Sequence, residues 1–336
     1  MQIGKLAIQM ARHLIFPPQM KIDTSLLDFQ SGLIKANLKK YVEELSSIPR
    51  FTQNIKGLNQ GADYIKRILE NDIKLPVEEL KYLGPPGDPN IYRNLIVSFG
   101  PENAPRIILG AHYDSYYNRK KRIYTPGADD NASGVAGILE ISRLLKELKP
   151  RLKHRMDVVA YPNEERPHCG LDIGETEHEK YVPYMGSFVH AQSLKDKNIP
   201  VIGAIIPEMI GYYSDEKDSQ TYPINILKLF YPTKGNFIGV LGNLDSFELI
   251  QKVRAGIKQN SSIDVRSLSI SPKILPDIAR SDHDCYYMHG NKGLMINNTS
   301  EYRTPHYHEV TDTPDTLDYD KMTEVVKGIF ATVIKL

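Results

Sequence analysis

A chain of 336 residues, 41% apolar and 25% charged, has the proportions of an ordinary globular protein and the length of one large α/β unit. Its formal net charge is +1 and it has no long run of Lys or Arg, so it lacks the electrostatic footprint of a nucleic-acid binder. No apolar stretch approaches the roughly 18 residues that cross a bilayer, and a membrane partner is not expected.

In Met1 to Met20, Lys5, Gln9, Arg12 and His13 break up the apolar residues, so no secretion signal is read in the numbered chain. Two cysteines, Cys169 and Cys285, cannot build a disulfide framework, and they fit a reducing or an oxidising compartment equally. Leu33, Leu38, Val42 and Leu45 recur at helical spacing, as do Ala62, Ile65, Ile68 and Leu69. Val77 to Leu83 and Asn94 to Phe99 read as strands around the Gly/Pro loop Gly84 to Pro89. Elements then alternate. Arg106 to Ala111, Met156 to Tyr161 and Val201 to Ile206 are expected as strands, with helices at Ala132 to Leu148 and Tyr184 to Leu194. Ile226 to Phe230, Phe237 to Leu241, Val265 to Ser269 and Gly293 to Ile296 read as further strands, and Asp245 to Lys258 and Lys321 to Ile334 as helices. This alternation predicts an α/β fold, a mixed and mostly parallel sheet between helix layers. We read one domain over residues 31–336 behind an N-terminal extension over 1–30.

Polar residues interrupt the apolar pattern just past the ends of expected strands, where open α/β sheets place their ligands. His112 and Asp114 follow the first strand of the alternating region. An imidazole there can bind a metal while the carboxylate two residues on holds its other nitrogen; the same pair also suits a surface loop. Asp129-Asp130-Asn131 precedes a helix, where an acidic cap and a metal-bridging carboxylate are compatible readings. Glu164 and Glu165 can divide metal binding from proton transfer, although adjacent glutamates are common on surfaces. Glu208 ends an apolar strand and is costly to bury without a cation or a donor. His306-Tyr307-His308 is a moderately specific metal signal, and the following Thr311-Asp312-Thr313 segment offers supporting groups.

Together these segments suit a pair of zinc ions bridged by a carboxylate, with one Glu left over as a base. The ordered series His-Tyr-Asp-Ser, Gly-Ala-Asp-Asp-Asn-Ala-Ser-Gly, Asn-Glu-Glu, Glu-Met-Ile-Gly-Tyr, Ser-Asp-His and Pro-His-Tyr-His resembles the co-catalytic zinc aminopeptidases of bacterial leucyl aminopeptidase type. Their clan also holds glutaminyl cyclases and glutamate carboxypeptidases. The likeness runs from about Ser47 to Asp318 and implies a zinc-exopeptidase α/β/α sandwich. It also implies two Zn²⁺, with cobalt or manganese as possible substitutes, and peptide substrates with a free N-terminus. By the same likeness Asp130 bridges the metals, His112 and Glu208 serve one, and Glu165 and His308 serve the other. Glu164 is then the general base, Asp114 orients His112, and Tyr307 hydrogen-bonds the developing oxyanion. A cis peptide is implied at Asp130-Asn131.

The chain departs from that pattern at several points. Glu208 stands where many members have Asp. Arg166 to Met185 intervenes before Gly186-Ser187 and is expected to border the substrate pocket. After Ser281-Asp282-His283 the chain continues Asp284-Cys285-Tyr286; Asp282 and His283 are expected in supporting roles rather than as ligands. Cys169 and Cys285 are expected as neighbours at the pocket rim, either bridged or as unrelated thiols. The runner-up reading is a glutaminyl-cyclase-like acyltransferase, disfavoured because those enzymes line their pocket with tryptophan and this chain has none. A carboxypeptidase would need a basic cluster for the substrate carboxylate. A non-catalytic interaction domain would have lost ligands that are all present here.

Overall fold

The computed structural model describes residues 17–165 and 181–336. Its helices are α1 (Ser25–Phe29), α2 (Ser31–Ser46), α3 (Ile55–Arg67), α4 (Gly134–Leu148), α5 (Gly186–Asp196), α6 (Phe247–Asn260), α7 (Asp282–Met288) and α8 (Tyr319–Val333). The strands are β1 (Glu78–Leu83), β2 (Ile91–Phe99), β3 (Arg106–His112), β4 (Tyr117–Asn118) and β5 (Ile123–Tyr124), followed by β6 (Arg155–Tyr161), β7 (Val201–Glu208), β8 (Phe237–Gly242), β9 (Asp264–Ser269) and β10 (Gly293–Asn297). Eight of them form one sheet in the order β1-β2-β6-β3-β7-β10-β8-β9.

The centre of that sheet, β6-β3-β7-β10, is parallel, and β8 enters antiparallel to β10. β3 reads Arg-Ile-Ile-Leu-Gly-Ala-His and is buried along nearly its whole length, as a parallel strand covered on both faces must be. Helices α2, α4, α6 and α8 cover one face, and α5 and α7 the other. Near its start α4 is Val135-Ala136-Gly137-Ile138-Leu139, all of it buried, because it lies between the sheet and α2 and α8. Each fully buried Leu or Ile there contributes about 1.5–3 kcal/mol relative to an exposed one. The expected α/β sandwich is therefore the observed fold.

Helices α6 and α8 cross closely at glycines. A Cβ built on Gly256 would lie 2.0 Å from Thr332 Oγ1 and 3.1 Å from Thr332 Cα. Gly256→Ala should therefore overpack the crossing and cost about 1–3 kcal/mol. Denaturant unfolding checks this, and an unchanged midpoint would show that the crossing has slack.

Two expectations are corrected. Ile226 to Phe230 is not a strand: Asn225–Leu229 forms a short 3₁₀ turn with no buried residue. A short apolar run does not distinguish a strand from other apolar segments, and this one has no strand neighbour to pair with. Leu33 is 51% exposed, and Ile34, Leu38, Tyr41, Val42 and Leu45 form the buried stripe of α2 instead. Ahead of α2 the chain is fastened to the body. The Met20 and Ile22 amides donate to the Gln259 and Asn260 side chains, and Leu27 is buried in the main core. Among the described residues no helix is long and apolar enough to cross a membrane.

Candidate metal centre

The C-terminal ends of β3, β6 and β7 open onto one cleft. His112 is the last residue of β3, Glu164 and Glu165 follow β6, and Glu208 ends β7. Asp130 lies in the Ala128–Ser133 turn that leads into α4, and His308 sits in the turns between β10 and α8. Two groups of possible ligands result, His112-Asp130-Glu208 and Asp130-Glu165-His308, with the donor atoms of each group within 4.8 Å of one another. Asp130 belongs to both. Its Oδ1 is 3.4 Å from His112 Nε2, and its Oδ2 is 3.3 Å from His308 Nε2. His112 Nε2 is 3.3 Å from Glu208 Oε1, and His308 Nε2 is 3.3 Å from Glu165 Oε2. The peptide bond between Asp130 and Asn131 is cis.

A second layer of hydrogen bonds holds these side chains. His112 Nδ1 hydrogen-bonds the Asp114 backbone carbonyl at 3.2 Å with Asp114 Oδ1 3.5 Å away, and the Asp114 carboxylate accepts from the amides of Glu164 (3.2 Å) and Glu165 (3.1 Å). One carboxylate thus ties the end of β3 to the turn after β6. Asp312 serves Asp130 rather than either histidine, accepting from the amides of Asp129 (2.8 Å) and Asp130 (3.1 Å). Asn131 donates to the Pro207 carbonyl at 3.0 Å and to Glu208 Oε2 at 3.3 Å, and Ser281 Oγ donates to the same Glu208 oxygen at 2.8 Å. Gly127 has φ +61°, and a Cβ there would strike the Asp130 carbonyl, so the approach to Asp130 requires glycine.

Three supporting residues were given no role by the sequence, although Asn163 opens the Asn-Glu-Glu motif. The buried Arg50 guanidinium donates to the carbonyls of Leu45, Pro126 and Gly127, holding the strand of chain that leads to Asp130. Asn163, buried with φ +69°, accepts from Thr52 Oγ1 at 3.0 Å and donates to Tyr82 Oη at 3.1 Å, which sets the turn that presents Glu164. Tyr116 stacks on His308. Motif reading sees residue types at short spacing, whereas these contacts are made by chain brought in from other elements.

His306 and His283 stay out of the cluster. His306 Nδ1 bonds Thr311 Oγ1, and His283 Nε2 donates to the Ile278 carbonyl at 2.8 Å. Asp282 is fully buried, and burial pushes its carboxyl up to about 7. Cys285 is buried beside Val182 and Met185; its expected neighbour Cys169 lies outside the described residues, as do positions 166–180 of the inserted segment.

The electrostatics fit a cation site. Burial alone would raise the Asp130 carboxyl, but the His112 and His308 imidazoles hold it well below the usual carboxylate range. Burial would lower His308, yet Glu165 and Asp130 lift it to about 10, and Glu208 likewise leads the groups that lift His112 against its burial. Glu165 is pushed up to about 7 by burial and by the Asp130 charge. Four buried carboxylates surround two imidazoles, which are drawn into the cationic form. Divalent cations would supply that positive charge and leave the imidazole nitrogens free as ligands. The donor set, imidazole nitrogen and carboxylate oxygen, is one that zinc accepts.

Asp130, Glu164, Glu165 and Glu208 form one wall of a pocket whose remaining lining is largely apolar, including Leu227, Tyr231, Phe237, Leu241, Leu268 and Met295. Tyr307 lines it too, with its Oη 3.4 Å from Arg280 Nη2. Both arginines of the pocket have carboxylate partners: Arg266 pairs with Asp264, and Arg280 pairs with Asp277 and Glu301.

The pattern of peptidase family M28 matches residues 94–333. The uncharacterized protein YfbL of Escherichia coli K12 is 39% identical over 297 residues, 87% of this chain and 85% of YfbL. A probable leucine aminopeptidase 1 of Trichophyton verrucosum is 27% identical over 254 residues, 74% of this chain but only 59% of that relative. Among solved structures, the LapA aminopeptidase of Legionella pneumophila superposes with a TM-score of 0.69 at 20% identity, covering 94% of this chain and 75% of LapA. A Bacteroides thetaiotaomicron glutaminyl cyclase superposes with a TM-score of 0.69 at 19% identity, covering 95% and 99%. At these identities the two structures share the fold with this chain.

Proposed function

This chain belongs to peptidase family M28, and on that premise we propose that it is a two-zinc aminopeptidase that releases the N-terminal residue of peptides. The observation that carries the reading is Asp130, whose two oxygens face two separate ligand groups. His112 and Glu208 complete one site, and Glu165 and His308 the other. Zinc held there supplies Lewis acidity toward the scissile carbonyl and lowers the pKa of an attacking water.

The chain's own residues do the rest. Glu164 lies in the pocket wall and belongs to neither ligand group, which would leave its carboxylate free of the metals. It takes a proton from the attacking water and returns it to the departing amine. Burial keeps the Tyr307 phenol protonated, so it can donate to the oxyanion as the carbonyl turns tetrahedral. Asp114 fixes His112 in orientation and anchors both glutamates.

With Asp130, Glu165 and Glu208 neutralised by the metals, Glu164 or a metal is left to hold the substrate's amine, and the apolar lining suits a large apolar N-terminal side chain. Since both pocket arginines are already paired with carboxylates, a substrate's free C-terminus finds no uncommitted cation among the pocket's described residues, which disfavours a carboxypeptidase.

N-terminal acetylation removes both the charge and the lone pair of the amine. Leucyl and phenylalanyl anilides should be hydrolysed, and their N-acetyl counterparts should be nearly inert. Equal turnover of the two would sink the aminopeptidase reading while leaving a metallohydrolase. Release of ammonia from N-terminal glutamine without peptide cleavage would establish the cyclase instead.

A further inference from the structure

The two histidines of the centre are steadied by different means. His112 is the end of a buried strand and has Asp114 beside its second nitrogen. His308 lies in an irregular turn with φ +57°, and a fifth of its side chain is exposed. Its imidazole is nonetheless tightly enclosed. The Tyr116 ring lies 3.7 Å from it, centroid to centroid, at an interplanar angle of 3°. The Tyr307 ring lies 3.8 Å from it at 20°. Two near-parallel rings at that spacing can only lie on opposite faces, so the imidazole is clamped between two phenol rings.

Tyr116 has a firm base. Its carbonyl accepts from both the amide and the hydroxyl of Thr125, and its neighbour Ser115 donates its amide to the Arg50 carbonyl. On the next residue, the Tyr117 ring stacks on Phe51 at 4.5 Å, and Tyr124 of the paired strand meets the same Phe51 ring at 5.6 Å. Tyr116, the residue before β4, is therefore braced by its neighbours and presents its ring to a candidate ligand that lacks the support of regular secondary structure. Tyr307 is next to His308 in the chain and moves with it. Tyr116 comes from the segment that follows β3, distant from His308 in sequence, and ties the ring to the body of the protein.

We propose that Tyr116 is a positioning residue for the metal centre. By fixing the plane of His308 it sets the affinity of the Asp130-Glu165-His308 site and leaves the His112-Asp130-Glu208 site unaffected. The inference rests on His308 being a metal ligand. An aromatic face restrains rotation about the ring's own bonds without competing for a nitrogen, the same restraint that outer hydrogen bonds give other metal-binding histidines.

Zinc titration of apo-protein against a chromophoric chelator, with the absorption spectrum of the cobalt-loaded form as a second readout, tests this. Tyr116→Leu should weaken one of the two sites by about 10- to 100-fold, a typical cost of losing a ligand's supporting partner, and leave the other as in the parent. Tyr116→Phe keeps the flat ring and should restore both affinities and the cobalt spectrum. The unaffected site reports that the variant is folded; if Tyr116→Leu does not fold, Tyr116→Met takes its place. His308→Ala separates the two possible failures. If His308→Ala loses one metal while Tyr116→Leu keeps both at parental affinity, the positioning role is wrong and the ligand assignment stands. If His308→Ala keeps both metals, the ligand assignment itself has failed.

Discussion

Asp130→Ala should strip the protein of both metals, whereas His112→Ala should empty one site and leave the other filled. The asymmetry follows from geometry. Asp130 Oδ1 faces His112 and Oδ2 faces His308, so a single truncation removes a ligand from each group. It also removes the carboxylate that lies between two positive centres, where its charge is worth most in a buried setting. His112 belongs to one group only. Elemental analysis after loading with zinc and removing loosely bound ion measures the outcome, with two equivalents expected in the parent. One tight equivalent retained by Asp130→Ala would overturn the bridging role. One equivalent in the parent would favour a single-zinc enzyme.

Glu164→Gln should retain both metals and lose about 10²- to 10⁴-fold in kcat, the range attributed to a positioned proton-transfer group. The amide matches the carboxylate in size but cannot accept the water's proton. The Glu164 backbone amide remains free to donate to Asp114, so the turn that carries Glu165 keeps its anchor. The expected signature is a fall in kcat with normal metal content and little change in KM. A variant that hydrolyses peptides at close to the parental rate would transfer the base role to another acid, with the buried Asp282 the first to examine.

The candidate ligands stood out in the sequence because parallel strands end where ligands bind. An apolar run followed abruptly by His, Glu-Glu or Glu is a pattern with a mechanical cause. The sheet was legible for a similar reason, since β3 and β7 are apolar runs of strand length between helical segments. Where the environment decides, the sequence was silent. Ile226, Leu229 and Phe230 are apolar yet exposed, so apolarity alone misassigned them to the sheet. The two-residue strands of the β4-β5 hairpin are too short to show a period, and Tyr116, which faces His308, lies just before the first of them. Asp312 was visible as a neighbour of the His-x-His segment, but its partners, the amides of Asp129 and Asp130, lie in a part of the chain that folding brings to it. A side chain that acts on backbone groups elsewhere leaves no spacing to read.

The five candidate ligands come from five separate places along the chain, between His112 and His308, and no two of them are held together by local structure alone. An unfolded chain therefore offers an incoming ion little more than single, weak donors. Whatever ion the site holds is held by the finished sheet, and its binding energy is added to the cohesion of the whole molecule. At a free concentration one hundred times its dissociation constant, a single bound ion adds about 2.7 kcal/mol against unfolding. That is a sizeable share of the 5–15 kcal/mol or so that keeps a domain folded. On the proposed metal assignment a chelator should act on this molecule as a mild denaturant, lowering its melting temperature as well as its activity.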